Sequence, residues 1–419
     1  MAVKESLTVV DNRTGQSHEI PITNNAVRAT DFKRISIDNA AKPFQSGLKI
    51  LDPGYQNTAV AESSITYIDG IKGTIQYRSH SLDQLVELHD FEDVSFLLIW
   101  GHLPSPDEKA NYRRSLAAHM QPPQSVIDTI SGFPRNTPYH LLLTAGLSAW
   151  AATNPSAIPL YAGKELFLGK LDVVDKAICE TIAASVSIIA LVYCHYAYVP
   201  FHPLDAAMAA STPMAENMLC MMGRVDPATN RPDAGIVRIL NKLWIVYADH
   251  EMTNSTAASM HVGSGLADPF SCVSAAALSL SGPLHGGAID LAYKMFARIG
   301  SRDNVPAALD EVKAGKYRLF GYGHRIYKTV DPRVKHLKAA LKELWATAES
   351  DPHVSVAMEI ERLAAQDDYF RARNLNVNAD LYGCFVFSAM GFQPEIITAL
   401  MLAARINGIL AHWREQMKH

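Results

Sequence analysis

From Thr181 to Val199 the chain carries no Asp, Glu, Lys or Arg. A helix of that composition has no face for water, so it either crosses a membrane or is wrapped by other helices on all sides. The segment also holds Thr181, Ser185, Ser187 and His195, with frequent Ala. No second span or aromatic belt accompanies it, so a central helix of a large helical core is expected, and no membrane partner. The chain has 419 residues, 48% of them hydrophobic, which suffices for two or three domains, or for one large domain with a smaller one attached. A net charge of −4 argues against a nucleic-acid partner, so an anionic ligand must be met by local cations. Cys179, Cys194, Cys220, Cys272 and Cys384 show no paired spacing and read as buried free thiols.

The first seventy-odd residues are β-like. Leu7–Val10 and His18–Pro21 flank a turn-rich linker, Asp11 to Gly15, and Ser64–Ile68 and Thr74–Tyr77 form a hairpin across Asp69 to Gly73. Helical signals follow. Ser81 with Gln84 and Ser105 with Glu108 match capping boxes, and Gly101 ends an apolar stretch. Periodicity predicts further helices near 125–131, 138–151, 173–198, 205–222, 233–248, 265–280, 288–299, 305–314, 332–348, 354–364, 381–391 and 394–414.

Four segments carry chemistry. Gly321-Tyr322-Gly323-His324 sets a His on a Gly-flanked turn, and Asp331-Pro332-Arg333 then opens a helix, with Asp331 as its cap. Arg333 in a first helical turn, near Arg325, Lys328 and Lys335, suits a carboxylate or phosphate. Ser281-Gly282-Pro283-Leu284-His285-Gly286-Gly287-Ala288 puts a second His in a Gly/Pro turn before another helix. Asn376-Val377-Asn378-Ala379-Asp380-Leu381 places a lone carboxylate among small and apolar neighbours. Ala248-Asp249-His250-Glu251-Met252-Thr253-Asn254 ends an apolar helix. Each has an ordinary alternative: a hydrogen-bonded loop His, a capping Asp380, a buried ion pair at Arg405. Together they suit acid–base chemistry on carbon. The apolar neighbours of Asp380 would raise its pKa and the helix start would lower it, and the residues leave that contest open.

With these segments in order, the chain resembles the citrate synthase family over nearly its whole length, to Ala404-Arg405-Ile406-Asn407-Gly408 and Ala411-His412-Trp413. The resemblance implies a mainly α fold with short N-terminal β-hairpins. Residues 1–80 would join the large domain, 81–286 and 392–419 would form it, and 287–391 would be a smaller helical domain. It implies a homodimer that joins an acyl-CoA carbon to oxaloacetate and then hydrolyses the thioester, with no metal and no cofactor beyond the CoA substrate. Asp380 would remove the α-proton, His285 would hydrogen-bond the enolate oxygen, and His324 would polarise the oxaloacetate carbonyl. His250, Asn254, Arg333 and Arg405 would hold oxaloacetate, and Arg325, Lys328 and Arg373 the CoA phosphates. A neutral His285 just before a helix N-terminus fits its role, because that end disfavours imidazolium.

The chain departs from the family pattern at four places. Tyr247 stands where a His is usual, Ile289 where Asn is usual and Ala379 where Val is common. The residues end at His419, before an Arg-Pro segment through which many members lend an Arg to the partner's site. The apolar surroundings suit an acyl chain longer than acetyl; ordinary citrate or 2-methylcitrate synthesis is the alternative. Outside the family, a metal-dependent hydrolase built on Asp249, His250, Glu251, His285 and His324, or a non-catalytic scaffold, would be the competing readings. Met1 to Ser6 is neither a signal nor a transit peptide, and Gln416 to His419 is no peroxisomal tripeptide, so a cytoplasmic location is expected.

Overall fold

The computed structural model describes residues 5–37, 47–53 and 57–418. Met1 to Lys4 and His419, which enter the reading of location, lie outside them. Contacts gather the chain into two units, Met1–Ser63 and Ser64–His419. In the first, Ser6–Asp11 pairs antiparallel with Gln16–Thr23, and Ala26–Val27 adds a short third strand. The predicted linker between the first two is a hairpin turn. The Asp11 carboxylate closes it by accepting from the Arg13 amide at 3.0 Å and its guanidinium at 2.8–2.9 Å.

The second unit opens with the expected hairpin, Thr66–Asp69 against Thr74–Tyr77. The rest is helical. The charge-free segment lies in the helix Leu171–Ala197, 27 residues long and buried in the core. Its polar residues satisfy themselves: Thr181 Oγ1 donates to the Ala177 carbonyl at 2.7 Å, and Ser185 Oγ to that of Thr181 at 2.6 Å. A second stretch, Pro394–Gln416, also passes for a membrane span by length and hydropathy, contrary to the expectation of a single one. Its helix, Ile397–Gln416, is buried from Ile397 through Trp413, so both are core helices packed on each other. Gly408 lets the helix Ile397–Gln416 approach residues 248–249: a Cβ there would come within 2.4 Å of the Ala248 carbonyl and Asp249 Oδ1. All five cysteines are free and buried.

Three helical expectations need correction. The run 205–222 breaks into Ala206–Ser211 and Met214–Met221 at Pro213, which caps the second piece. The run 332–348 becomes Val334–Glu343 and Trp345–Ala348, and it starts late. Asp331 does not cap it. Its carboxylate accepts from the Arg333 amide at 3.0 Å and grips the Arg333 guanidinium, and Arg333 itself is the cap residue. The run 265–280 starts only at Pro269, behind Asp268 as cap, and before it lies an unforeseen helix, Asn254–Gly263. That helix is built from small and polar residues with no apolar stripe, so periodicity had nothing to detect.

Candidate active site

Two loops form the frame. Gly321 to Asp331 runs beside Asn376 to Ala379, joined at every few residues. The Gly323 amide donates to the Asn376 carbonyl at 2.7 Å, Asn378 N to Gly321 O at 2.9 Å and Asp331 N to Val377 O at 3.1 Å. Asn378 is the side-chain stitch. Its Nδ2 donates to the Gly323 carbonyl at 2.7 Å and its Oδ1 accepts from the Asp380 amide at 2.9 Å. His324 and Asp380 are thereby set by one small, closed network. Gly321 and Gly323 take positive φ, +83° and +78°, as the Gly-flanked turn requires. The hairpin docks on this frame through Lys328 N, which donates to the Gly70 carbonyl at 2.8 Å.

The histidines are neutral, and their tautomers are assigned by what they face. His324 Nδ1 accepts from the amides of Ile326 and Tyr327 at 3.1 and 3.2 Å, so the ring proton is on Nε2. His285 Nε2 accepts from the Ser255 amide at 3.2 Å and lies 2.8 Å from its hydroxyl, so the proton is on Nδ1. Both pKa values fall to about 4. Burial is the main cause, reinforced by Arg333 at His324 and by Arg405 at His285. A helix N-terminus does disfavour imidazolium at His285, but the amide that reaches its ring comes from Asn254–Gly263, not from the helix that follows it. His250 is buried, 3.0 Å from the Tyr327 hydroxyl and edge-on to His324 with ring centroids 5.3 Å apart. Burial, then Arg333, His324 and Arg405, hold its pKa well below the usual value.

The cations are anchored from behind. Arg333 is buried and gives Nε and one terminal nitrogen to Asp331 at 3.0 and 2.6 Å, leaving the other terminal nitrogen for a ligand. Arg405 is buried and gives Nε to the Tyr247 carbonyl at 2.8 Å, leaving both terminal nitrogens. Asp249 supplies its countercharge and pairs with His412 at 3.3 Å. Among the described residues the base candidate has no such partner. Asp380 is the first residue of the helix Asp380–Ala389, and its pKa rises to about 6. Burial wins the contest left open above, and Arg333 only moderates it. Two neutral imidazoles with one free N–H each, a carboxylate near neutrality and two pre-set guanidiniums can abstract a carbon-bound proton and stabilise an enolate beside a dianion.

The family model for the citrate synthase C-terminal domain matches residues 54–419. The chain belongs to the citrate synthase family. It is 44% identical over 418 residues to the citrate synthase-like protein oryE of Aspergillus oryzae, covering 99% of this chain and 93% of that one. It is 38% identical over 416 residues to the alkylcitrate synthase phiJ of a fungal species, covering 98% and 90%. Among solved structures, the citrate synthase of Thermoplasma acidophilum, in a ternary complex with carboxymethyl coenzyme A and oxaloacetate, superposes with a TM-score of 0.76. It is 28% identical and covers 87% of this chain and 92% of its own.

In this citrate synthase family enzyme His285, His324 and Asp380 lie around one centre with His250, Arg333 and Arg405. Asn254 is exposed, and its Oδ1 accepts from the Ser279 hydroxyl. Arg325, Lys328 and Arg373 are exposed. Lys328 Nζ donates to the Arg325 carbonyl at 3.2 Å, and Arg373 stacks on Tyr369 at 3.8 Å. The hydrolase reading fails on geometry: His285 Nε2 and His324 Nδ1 are occupied by amides, and Glu251 accepts from Ile68 N at 2.7 Å. Among the described residues no group of three or more His, Cys, Asp or Glu converges as metal ligands would. Sequence reasoning missed Tyr327, Ser255 and the pairing role of Asp331. Only Asp331 had a signal, its place two residues before an Arg, and that signal is shared by ordinary caps.

Proposed function

We propose that this enzyme condenses an acyl-CoA with oxaloacetate and hydrolyses the resulting thioester, and that it prefers an acyl chain longer than acetyl. The observation that carries the condensation is the opposed setting of two kinds of group. His285 and His324 are held neutral as single donors, while Asp380 is held near neutrality as a base. Asp380 takes the α-proton, His285 Nδ1–H donates to the developing enolate oxygen, and His324 Nε2–H donates to the ketone under attack. Arg333 and Arg405 take the two carboxylates of oxaloacetate, beside His250. Arg325, Lys328 and Arg373 are suited by exposure to the CoA phosphates. Closure of residues 287–391 over the remainder would keep water from the enolate.

The preference for a longer chain rests on Ile289 and Ala379, both buried. Ile289 packs its δ-carbon toward Gly383, one turn after the base, so alkyl surface replaces polar surface there. The likeness to an alkylcitrate synthase supports the same direction. Each extra buried CH₂ on the substrate contributes about 0.8 kcal/mol where there is room. A homodimer is part of the reading: Leu284, next to His285, is 79% exposed, and Leu141 and Leu278 are also exposed. The test is thiol release with oxaloacetate over acetyl-, propionyl-, butyryl-, hexanoyl- and octanoyl-CoA. kcat/KM should rise beyond acetyl and fall on Ala379→Val. A steep fall from acetyl onward, unchanged by Ala379→Val, would make this an ordinary citrate synthase.

A further inference from the structure

Two deficits meet on the helix Asp380–Ala389, one at its first residue and one against Gly383, three residues on. Among the described residues no donor reaches the Asp380 carboxylate, so the proposed base holds its charge without a hydrogen bond. Tyr247, at the end of the helix Ala234–Tyr247, has the complementary defect. Its ring is 1% exposed, and its hydroxyl is buried with no partner. A buried hydroxyl without a partner loses its hydration for no return, so its retention calls for a reason.

The hydroxyl's place is fixed by its neighbours. A Cβ on Gly383 would lie 2.4 Å from Tyr247 Oη and 3.1 Å from Ile289 Cδ1, so the hydroxyl presses on the helix that Asp380 begins. Phe387, on the same helix, stacks with the Tyr247 ring at 6.5 Å. These walls are apolar, and among the described residues the hydroxyl finds no acceptor. The charged groups that act on the phenol are Arg333, Asp380 and Asp331. Those around Asp380 are Arg333, Asp331 and Arg318, with Asp290 on the helix Ala288–Ile299 and Cys384 on its own helix. Arg333 is committed to Asp331 by two of its nitrogens, and the phenol is a neutral donor close enough to feel the Asp380 charge. Burial raises the phenol's pKa, so it keeps its proton and acts as a donor only.

We propose that Tyr247 is a positioning residue for Asp380: with substrates bound, its hydroxyl donates to the carboxylate and aims the oxygen that receives the α-proton. The phenol proton stays on Tyr247, and the substrate proton ends on Asp380. Through its carbonyl the same residue holds Arg405, so one helix end serves both the base and the anion site. The inference rests on the reading of Asp380 as the base.

Tyr247→Phe removes the hydroxyl and leaves the carbonyl. Its Tm should equal or exceed that of the parent, because an unpaired buried hydroxyl is gone. kcat should fall about tenfold or more, with the oxaloacetate KM within about twofold. The acid limb of kcat, which reports the substrate-bound enzyme, should move upward, since loss of a donor to the anion raises its pKa. An unchanged kcat and limb would reduce the phenol to filler, and a raised KM alone would place its action at Arg405; either overturns the proposal. Asp380→Asn and the double variant separate this from the reading beneath it. If Tyr247 works through Asp380, the double variant is no slower than Asp380→Asn. A further drop in the double variant would sink the positioning role while leaving the base intact. Near-normal turnover by Asp380→Asn would instead sink the base.

Discussion

Asp331 and Asp380 stand on the two stitched loops, both largely removed from water, and both feel Arg333. They titrate in opposite directions. At Asp331 burial alone would raise the pKa, but the Arg333 guanidinium, at 2.6 and 3.0 Å, and its amide outweigh it and hold the carboxyl below the usual range. At Asp380 burial dominates and the same Arg333 acts only through space, so the pKa rises to about 6. What separates a structural counter-ion from the proposed base is contact with the cation, not burial. The fold achieves this by turning the guanidinium toward Asp331.

The largest break comes at Asp380. Asp380→Asn should lower kcat by on the order of 10³-fold, the usual range for losing a positioned base. It should also stabilise the fold. A carboxyl whose pKa is raised from 3.8 to about 6 on folding opposes folding once ionised. That handicap is absent below about pH 4 and complete above about pH 6. A shift of that size corresponds to about 3 kcal/mol, reduced to about 2 kcal/mol because the side chain keeps some exposure. Urea unfolding of parent and variant at several pH values should therefore diverge from about zero at pH 4 to about 2 kcal/mol at pH 7. Parallel curves would mean that Asp380 is not perturbed.

Asp331 should behave in reverse. Its depressed pKa contributes stability above about pH 4 that is lost as pH falls below it. Asp331→Ala leaves Arg333 buried and unpaired, which costs about 3 kcal/mol. It also frees the guanidinium to swing, so the oxaloacetate KM should rise more than kcat falls. Equal unfolding midpoints for parent and variant would show that Arg333 finds another partner. Because the freed charge moves nearer Asp380, the acid limb of kcat/KM should shift below about pH 6, opposite in direction to the shift expected in kcat for Tyr247→Phe.

Much of this contrast was legible before any coordinates. The His324, His285 and Asp380 segments announced themselves through Gly turns and isolation among apolar residues, and the core helices through periodicity. What stayed hidden was partnership. Asp331 reads as a helix cap because Asp-Pro is a common opening, and nothing local says that its carboxylate turns to Arg333. The amide that donates to the His285 ring belongs to Ser255, thirty residues upstream, on a helix whose residues carry no periodic signal. Desolvation against the helix start at Asp380 was a difference of two opposed effects, which only packing could decide.

The smallest expected effect tests the stitch that holds the two loops in register. Asn378 makes one bond to each side, Nδ2 to the Gly323 carbonyl at 2.7 Å and Oδ1 from the Asp380 amide at 2.9 Å. Asn378→Asp keeps the acceptor and loses the donor, whereas Asn378→Ala loses both. A single net hydrogen bond contributes about 1 kcal/mol, so the Ala variant should lose about 2 kcal/mol of stability. Asn378→Asp is the more telling of the two. It leaves Asp380 capped, detaches the His324 loop, and brings a second carboxylate beside the base. Like charge would raise the Asp380 pKa further, so its acid limb should rise while that of Asn378→Ala stays near the parent's. If both limbs rise alike, the stitch acts by holding geometry alone, and the contrast between Asp331 and Asp380 depends on loop register more than on local charge.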